Sequence, residues 1–343
     1  MSSKVVNEQE FRIFIDKLAS AYEVLAPVKK RGEHVFQRIF DAGEVDLEYV
    51  TTILPPKKYL LPPSDGLIKL RQDGEFEEVE PEAPVRVLFG THSCDLHALM
   101  ILDRVFIDHF KLPQYVKRRR NLLTVALTCL NPASTCFCAS MGTGPSPDQG
   151  YDLLITKISA GYLLEVGSEK GEELIRFAPG RQGGKEDSEE KSKLIGKAVN
   201  LFKRKIDDVA RLPELFERNL EHEVWKKLGE IDLACGQCVM SCPTCYCFDV
   251  IDQLSLNGSE SIRVKEWDAC FTLEFSEVAL GGNFRRDRAA RVRQFIGHNL
   301  GWGGGVQYPE LGGRTKCVGC GRCIRVCPVH IDLTEVVKML RGE

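Results

Sequence analysis

Cys317-x2-Cys320-x2-Cys323-x3-Cys327-Pro328, reading CVGCGRCIRVCP, decides what the C-terminal part of this chain is built around. Three thiolates at that spacing can wrap one cubane of iron and sulfide. The fourth, followed by a proline that turns the chain away, reaches across to a second cube. A partner run is therefore required, and Cys235-x2-Cys238-x3-Cys242-Pro243 supplies it, with Asp232 where the opening cysteine of the pattern would stand. C-x2-C pairs also make four-cysteine zinc sites, but zinc ribbons do not need the third cysteine and the Cys-Pro at this spacing. The pair predicts two 4Fe–4S clusters close enough to exchange electrons.

The crossing rule assigns the ligands. Cys317, Cys320, Cys323 and Cys242 form one set; Cys235, Cys238 and Cys327 form the other, its fourth iron assigned to Asp232 or left open. Carboxylate is a harder partner for iron than thiolate. Three outcomes follow: an Asp-ligated cube, a 3Fe–4S cluster that has shed its labile corner, or rescue by a neighbour such as Cys245. The competing role for Asp232 is a helix N-cap ahead of the first cysteine pair.

The chain has 343 residues, 43% of them hydrophobic, enough for a substantial core and for two domains. Its net charge of −3, from 46 basic and 49 acidic residues, excludes a nucleic-acid protein that works through a strongly basic surface. No run of 18 apolar residues predicts a membrane span, and the N-terminus has no signal-peptide core. Fourteen cysteines crowded into C-x2-C and C-x-C pairs suit metal binding in a reducing cytoplasm better than a disulfide framework.

Upstream the pattern changes. Apolar residues at helical spacing predict a helix over 8–23, and short extended pieces are expected at 24–28, 48–54 and 59–61. Buried strands are expected at 85–90 and 122–127, a helix over 96–106 and a hairpin at 153–158 and 161–166, an α/β domain with a mixed sheet. The polar stretch between Pro179 and Leu194 reads as a loop. Beyond it the pattern turns helical, over 201–212, 215–228 and 281–299, with one strand at 262–266 and an irregular glycine-rich segment at 301–313. Domain limits of 1–195 and 196–343 follow.

Seven cysteines lie outside the two runs. Cys94 and Cys129 each follow a predicted strand, so in a parallel sheet both emerge at the carboxyl edge where α/β domains place ligands. With Cys136 and Cys138 they make a four-thiolate set, the expected site of a third cluster; the competing reading is buried small hydrophobes. Cys245, Cys247 and Cys270 are divided between a further site and inert buried thiols. Thr135-Cys-Phe-Cys is echoed by Thr244-Cys-Tyr-Cys. His92 and His97 read as satisfied polar residues, and the arginines from 285 to 293 as a solvated helix face. There is no dinucleotide fingerprint, P-loop, nucleophile elbow or H-E-x-x-H.

These features together resemble a family: the iron–sulfur β subunits of sulfhydrogenase-type nickel–iron hydrogenases, the A subunit of anaerobic sulfite reductase, and the dicluster protein of flavin oxidoreductase–heterodisulfide reductase systems. LAPVKK at 25–30, TTILPPKKYLLP at 51–62, FGTHSCDLHAL at 89–99, CFCASMGTGP at 136–145, CPTCYCFDV at 242–250, WDAC at 267–270 and GGNFR at 281–285 carry the likeness. It implies an α-helical ferredoxin-type dicluster domain after the α/β domain, α+β overall. It also implies a non-catalytic electron-transfer component between an FAD- and NAD(P)-binding flavoprotein subunit and a catalytic subunit of hydrogenase, sulfite reductase or heterodisulfide reductase. Asp232 departs from the family, whose members generally carry cysteine there. The alternative is an autonomous oxidoreductase whose N-terminal cluster is the active site.

Overall fold

A computed structural model describes residues 2–71, 73–303 and 315–343. An eight-stranded mixed sheet organises the first part. In chain order its framework is β1 (Ser3–Val6), α1 (Glu8–Ala21), β2 (Glu23–Lys30), β3 (Glu33–Ile39), β4 (Ser64–Arg71), β5 (Phe76–Glu78), β6 (Arg86–His92), α2 (Ser93–Asp103), α3 (Pro113–Arg120), β7 (Leu122–Leu127), β8 (Leu153–Ile158), β9 (Gly161–Val166), α4 (Glu169–Ile175), β10 (Arg181–Gln182) and α5 (Lys185–Val199). The sheet order is β10-β1-β9-β8-β7-β6-β2-β3. Its central pairs β2–β6, β6–β7 and β7–β8 are parallel, and the outer pairs are antiparallel. LLTVAL, the whole of β7, is buried because a central parallel strand is covered on both faces. Helix α1 packs Phe11, Phe14, Ile15 and Leu18 against the sheet and is started by an Asn7–Glu10 capping box.

The second part is mainly helical: α6 (Leu212–Arg218), α7 (Val224–Ile231), α8 (Gln237–Met240), α9 (Arg288–Leu300), α10 (Arg322–Val326) and α11 (Leu333–Arg341), with a hairpin of β11 (Phe248–Leu254) and β12 (Glu260–Trp267) between α8 and α9. Its own apolar core includes Phe216, Trp225, Phe295, Ile296 and Val337. The hairpin crosses back: β12 pairs with β4, so residues 64–78 and 248–267 share a four-stranded sheet, β11-β12-β4-β5. The fold is α+β.

Several expectations need correction. Residues 185–199 are helix, not loop. Three of their charges have specific partners outside the helix (Asp187 with Arg181 and the Gly184 N–H, Lys191 with Glu165, Glu190 with Ser159), while Ala198 is buried and Leu194 packs on the cluster of Leu163 and Ile158. Strand β11 was not anticipated, because all seven of its residues are exposed and no alternating buried face marks it. Residues 48–54 and 59–61 form no strand, and 201–208 no helix. The glycine-rich segment lies outside the described residues from position 304 to its end.

Candidate metal centres

The tight loop of the second run depends on glycine. Gly319 and Gly321 hold φ of +62° and +71°, and a Cβ on Gly319 would sit 2.6 Å from the Cys138 backbone nitrogen. Phe137 donates its N–H to the Gly319 carbonyl at 2.8 Å, so the Thr135–Cys138 loop lies directly on the 317–323 loop. Gly319→Ala should therefore lower stability by more than the roughly 1–2 kcal/mol that left-handed backbone costs other residues. A shift in denaturant midpoint worth only a few tenths of a kcal/mol would contradict this packing.

Around that loop the thiols form three sets. Cys242, Cys317, Cys320 and Cys323 line one small pocket, walled by Phe137, Phe295 and Leu333. This is the set the crossing rule names: three thiols from one run and one from the other. The Gly319 N–H donates to Cys317 Sγ at 3.3 Å, and the Thr244 hydroxyl lies 3.2 Å from Cys242 Sγ. Donors at sulfur are among the features that tune a cluster's potential.

In the second set, burial raises the Cys238 thiol pKa well above its ordinary value, and the charges of Asp232, Cys235 and Cys327 act in the same direction. Those three are the expected companions. Asp232 is 8% exposed; burial raises its carboxyl pKa, while one oxygen accepts the Ala234 N–H at 2.6 Å. It ends α7 and is not the N-cap of a following helix. Cys245 has Cys247, Lys57 and Lys316 as its neighbours.

The third set lies at the carboxyl edge of the large sheet. Cys94 stands in the first turn of α2 directly after β6, and Cys129 two residues beyond β7, the parallel neighbour of β6. Burial pushes the Cys136 thiol up to about 12, with Cys320 and Cys129 adding to the effect. Cys138 is raised by burial, then by Cys136, Cys129 and Cys320. Cys94 is raised by burial, then by Asp95, Cys138 and Cys320. Thiols held protonated in this way must release their protons when iron binds.

The donor sets fit iron–sulfur cubes. Each gathers soft thiols from separate loops, and the first lines one small pocket. Among the described residues no three His, Cys, Asp or Glu side chains converge as a single metal ion requires, a tighter arrangement than a four-iron cube needs. His92 and His97 are satisfied within the protein: His92 stacks on Tyr49 and donates to the Val50 carbonyl at 3.1 Å, and His97 donates to the Ser93 carbonyl at 2.9 Å. Burial lowers the His92 pKa to about 4.

Sequence reading missed the polar clamp behind these sets. Arg322, inside Cys320-Gly-Arg-Cys323, makes a two-pronged ion pair with Asp95 at 2.6 and 2.7 Å and donates to the Thr52 carbonyl at 2.9 Å. Both charged side chains are 1% exposed. Each partner adjoins a cysteine, which was the available signal; their 227-residue separation hid the pairing.

Comparison with known proteins agrees with this geometry. Residues 232–331 match the 4Fe–4S dicluster domain family, the matched segment opening on Asp232. The chain is 34% identical over 339 residues, 98% of its length and 97% of the relative's, to sulfhydrogenase 2 subunit beta of Pyrococcus furiosus. No solved structure matches, and among the described residues no helix is long and apolar enough to cross a membrane. With both cysteine runs inside the matched domain and the likeness spanning nearly all of both chains, this protein belongs to the family of sulfhydrogenase β subunits, iron–sulfur electron-transfer proteins.

Proposed function

We propose that the chain is the relay of a multisubunit complex, passing single electrons between an FAD- and NAD(P)-binding flavoprotein subunit and a terminal catalytic subunit. The relative's name makes a hydrogenase the first choice of terminal partner, ahead of sulfite reductase and heterodisulfide reductase. The observation that carries the reading is the serial arrangement of the thiol sets. Cys136 Sγ lies 3.4 Å from the Cys320 carbonyl, and α8, which carries Cys238, packs on α10, which carries Cys323, so the set of Cys242, Cys317, Cys320 and Cys323 adjoins both of the others. One end is buried at Cys94, Cys136 and Cys138; the other reaches the surface at Cys235.

In this reading Cys94, Cys129, Cys136 and Cys138 hold one cluster, Cys242, Cys317, Cys320 and Cys323 the middle one, and Cys235, Cys238, Cys327 and Asp232 the third. A 4Fe–4S cluster supplies one-electron uptake and release at a potential set by its ligands and surroundings. The protein's own contribution is to exclude water, direct N–H groups at sulfur and hold the three sets in sequence. Asp232→Cys should replace a carboxylate with a thiolate at the exposed end and change that centre's potential and spectrum. Redox titration beside the native chain checks this, and identical curves would remove Asp232 from the ligand set.

The relay reading is tested by mixing the anaerobic chain with NAD(P)H, with and without the flavoprotein subunit. Visible absorbance should bleach only when the flavoprotein is present. Bleaching or substrate turnover by the isolated chain would instead favour an autonomous enzyme.

A further inference from the structure

The edge of a β-sheet is a row of unpaired backbone N–H and C=O groups, and proteins keep such edges short, charged or covered. Three of the four edges of the two larger sheets follow that rule. Strand β10 has two residues, and β5 has three, two of them Glu77 and Glu78. Strand β3 is longer but covered: its His34 carbonyl accepts the Ile53 N–H, and its Phe36 carbonyl accepts from the Lys58 ammonium and the Tyr59 hydroxyl. The fourth edge, β11, breaks the rule. Among the described residues it pairs only with β12, and its seven residues, FDVIDQL, are all exposed and include no proline or lysine. Phe248, Val250, Ile251 and Leu254 supply its apolar surface, Leu254 being 70% exposed, and Leu256 beyond the strand is fully exposed. A long, open, apolar edge is a template for an incoming strand: backbone hydrogen bonds give affinity, and alternate side chains give specificity.

Charge selects the occupant. The β11–β12 register sets Asp249 directly opposite Glu266, a like-charge pair that is unfavourable across a sheet. Asp249 accepts the Val250 N–H and Glu266 accepts from the Gln253 amide, neither of them a cation. Asp252, by contrast, is matched by Arg263 at 2.8 Å. A second copy of β11 would bring only further aspartates, since the strand has no lysine or arginine of its own. A strand from a different chain, apolar where it meets Val250, Ile251 and Leu254 and basic beside Asp249, satisfies both the backbone and the charge.

We propose that β11 is the docking edge for such a strand, donated by another subunit of the complex and added to the sheet beyond β11. This rests on the multisubunit reading above and specifies the surface it uses. Strand β11 begins directly after the Cys242–Cys247 loop, so the docked subunit is tied to the loop that carries a proposed ligand of the middle set.

The test compares hydrogen exchange, residue by residue, in the full chain alone and in its complex with the flavoprotein and catalytic subunits. The outward-facing amides of 248–254, every second one, should exchange about tenfold or more slowly in the complex. Ile251→Lys/Leu254→Lys, which places on the edge the charge that natural edges use against pairing, should weaken assembly by about tenfold or more while iron content and unfolding midpoint stay native. Asp249→Asn should make assembly less sensitive to salt. A complex in which 248–254 exchanges as in the free chain would overturn this proposal alone; so would a dimer of the isolated chain protected at 248–254, which would assign the edge to a second copy. Failure of the native chain to form any complex would remove the multisubunit reading and this surface together. Should the double-lysine variant not fold, exchange in the native complex decides.

Discussion

Asp95→Ala should cost about 3–5 kcal/mol of stability and weaken iron retention in two thiol sets at once. The carboxylate is 1% exposed and is the ion-pair partner of the equally buried Arg322. Removing it strands a guanidinium, with the Thr52 carbonyl and hydroxyl as its remaining partners. Arg322 sits between Cys320 and Cys323, and Asp95 follows Cys94, so a shift of either end moves ligands on both sides of the Thr135–Cys138 loop. Replacing both partners, as Asp95→Leu/Arg322→Met, should recover much of the loss, because the desolvation cost of both charges disappears with the pair. Denaturant unfolding of the iron-loaded proteins, with iron content measured alongside, checks both statements. A loss below about 1 kcal/mol for Asp95→Ala would mean the pair is no more than a surface-type contact.

Cys242→Ser should damage the cluster of the other run. Cys242 belongs by sequence with Cys235 and Cys238, yet it lines one small pocket with Cys317, Cys320 and Cys323. Adding Cys320→Ser to Cys242→Ser should therefore remove little further iron, whereas adding Cys238→Ser should remove a second cluster's worth, about four irons if the site is a full cube. The reverse pattern would show that each run binds its own cluster. In the proposed relay, transfer between the two outer sets should also fall sharply in Cys242→Ser, since the middle set adjoins both.

The parts of this architecture written in local pattern were legible in the sequence. The run LLTVAL reads as a buried strand, and it is β7; the 153–158 and 161–166 hairpin has the expected limits. Cys94 and Cys129 could be placed at one edge of the sheet from sequence because each follows a strand, and the two strands are parallel neighbours. Features set by distant partners were hidden. The charged residues of α5 looked like a solvated loop because Glu165 and Ser159, which bind Lys191 and Glu190, lie outside the segment. Thr51 and Thr52 are buried without being strand, held by Arg325 and Arg322 some 270 positions away. Lys57 in LPPKKYLLP gave no hint that it would be buried against Cys245. Its neighbours are known only once the chain is folded.

The most direct measurement is electron paramagnetic resonance of the native chain, purified without oxygen and reduced with dithionite, with iron and sulfide counted on the same sample. Thiol sets that hold iron–sulfur cubes predict a brown protein that bleaches on reduction and then gives a paramagnetic signal. A colourless protein carrying zinc, silent after reduction, would contradict it.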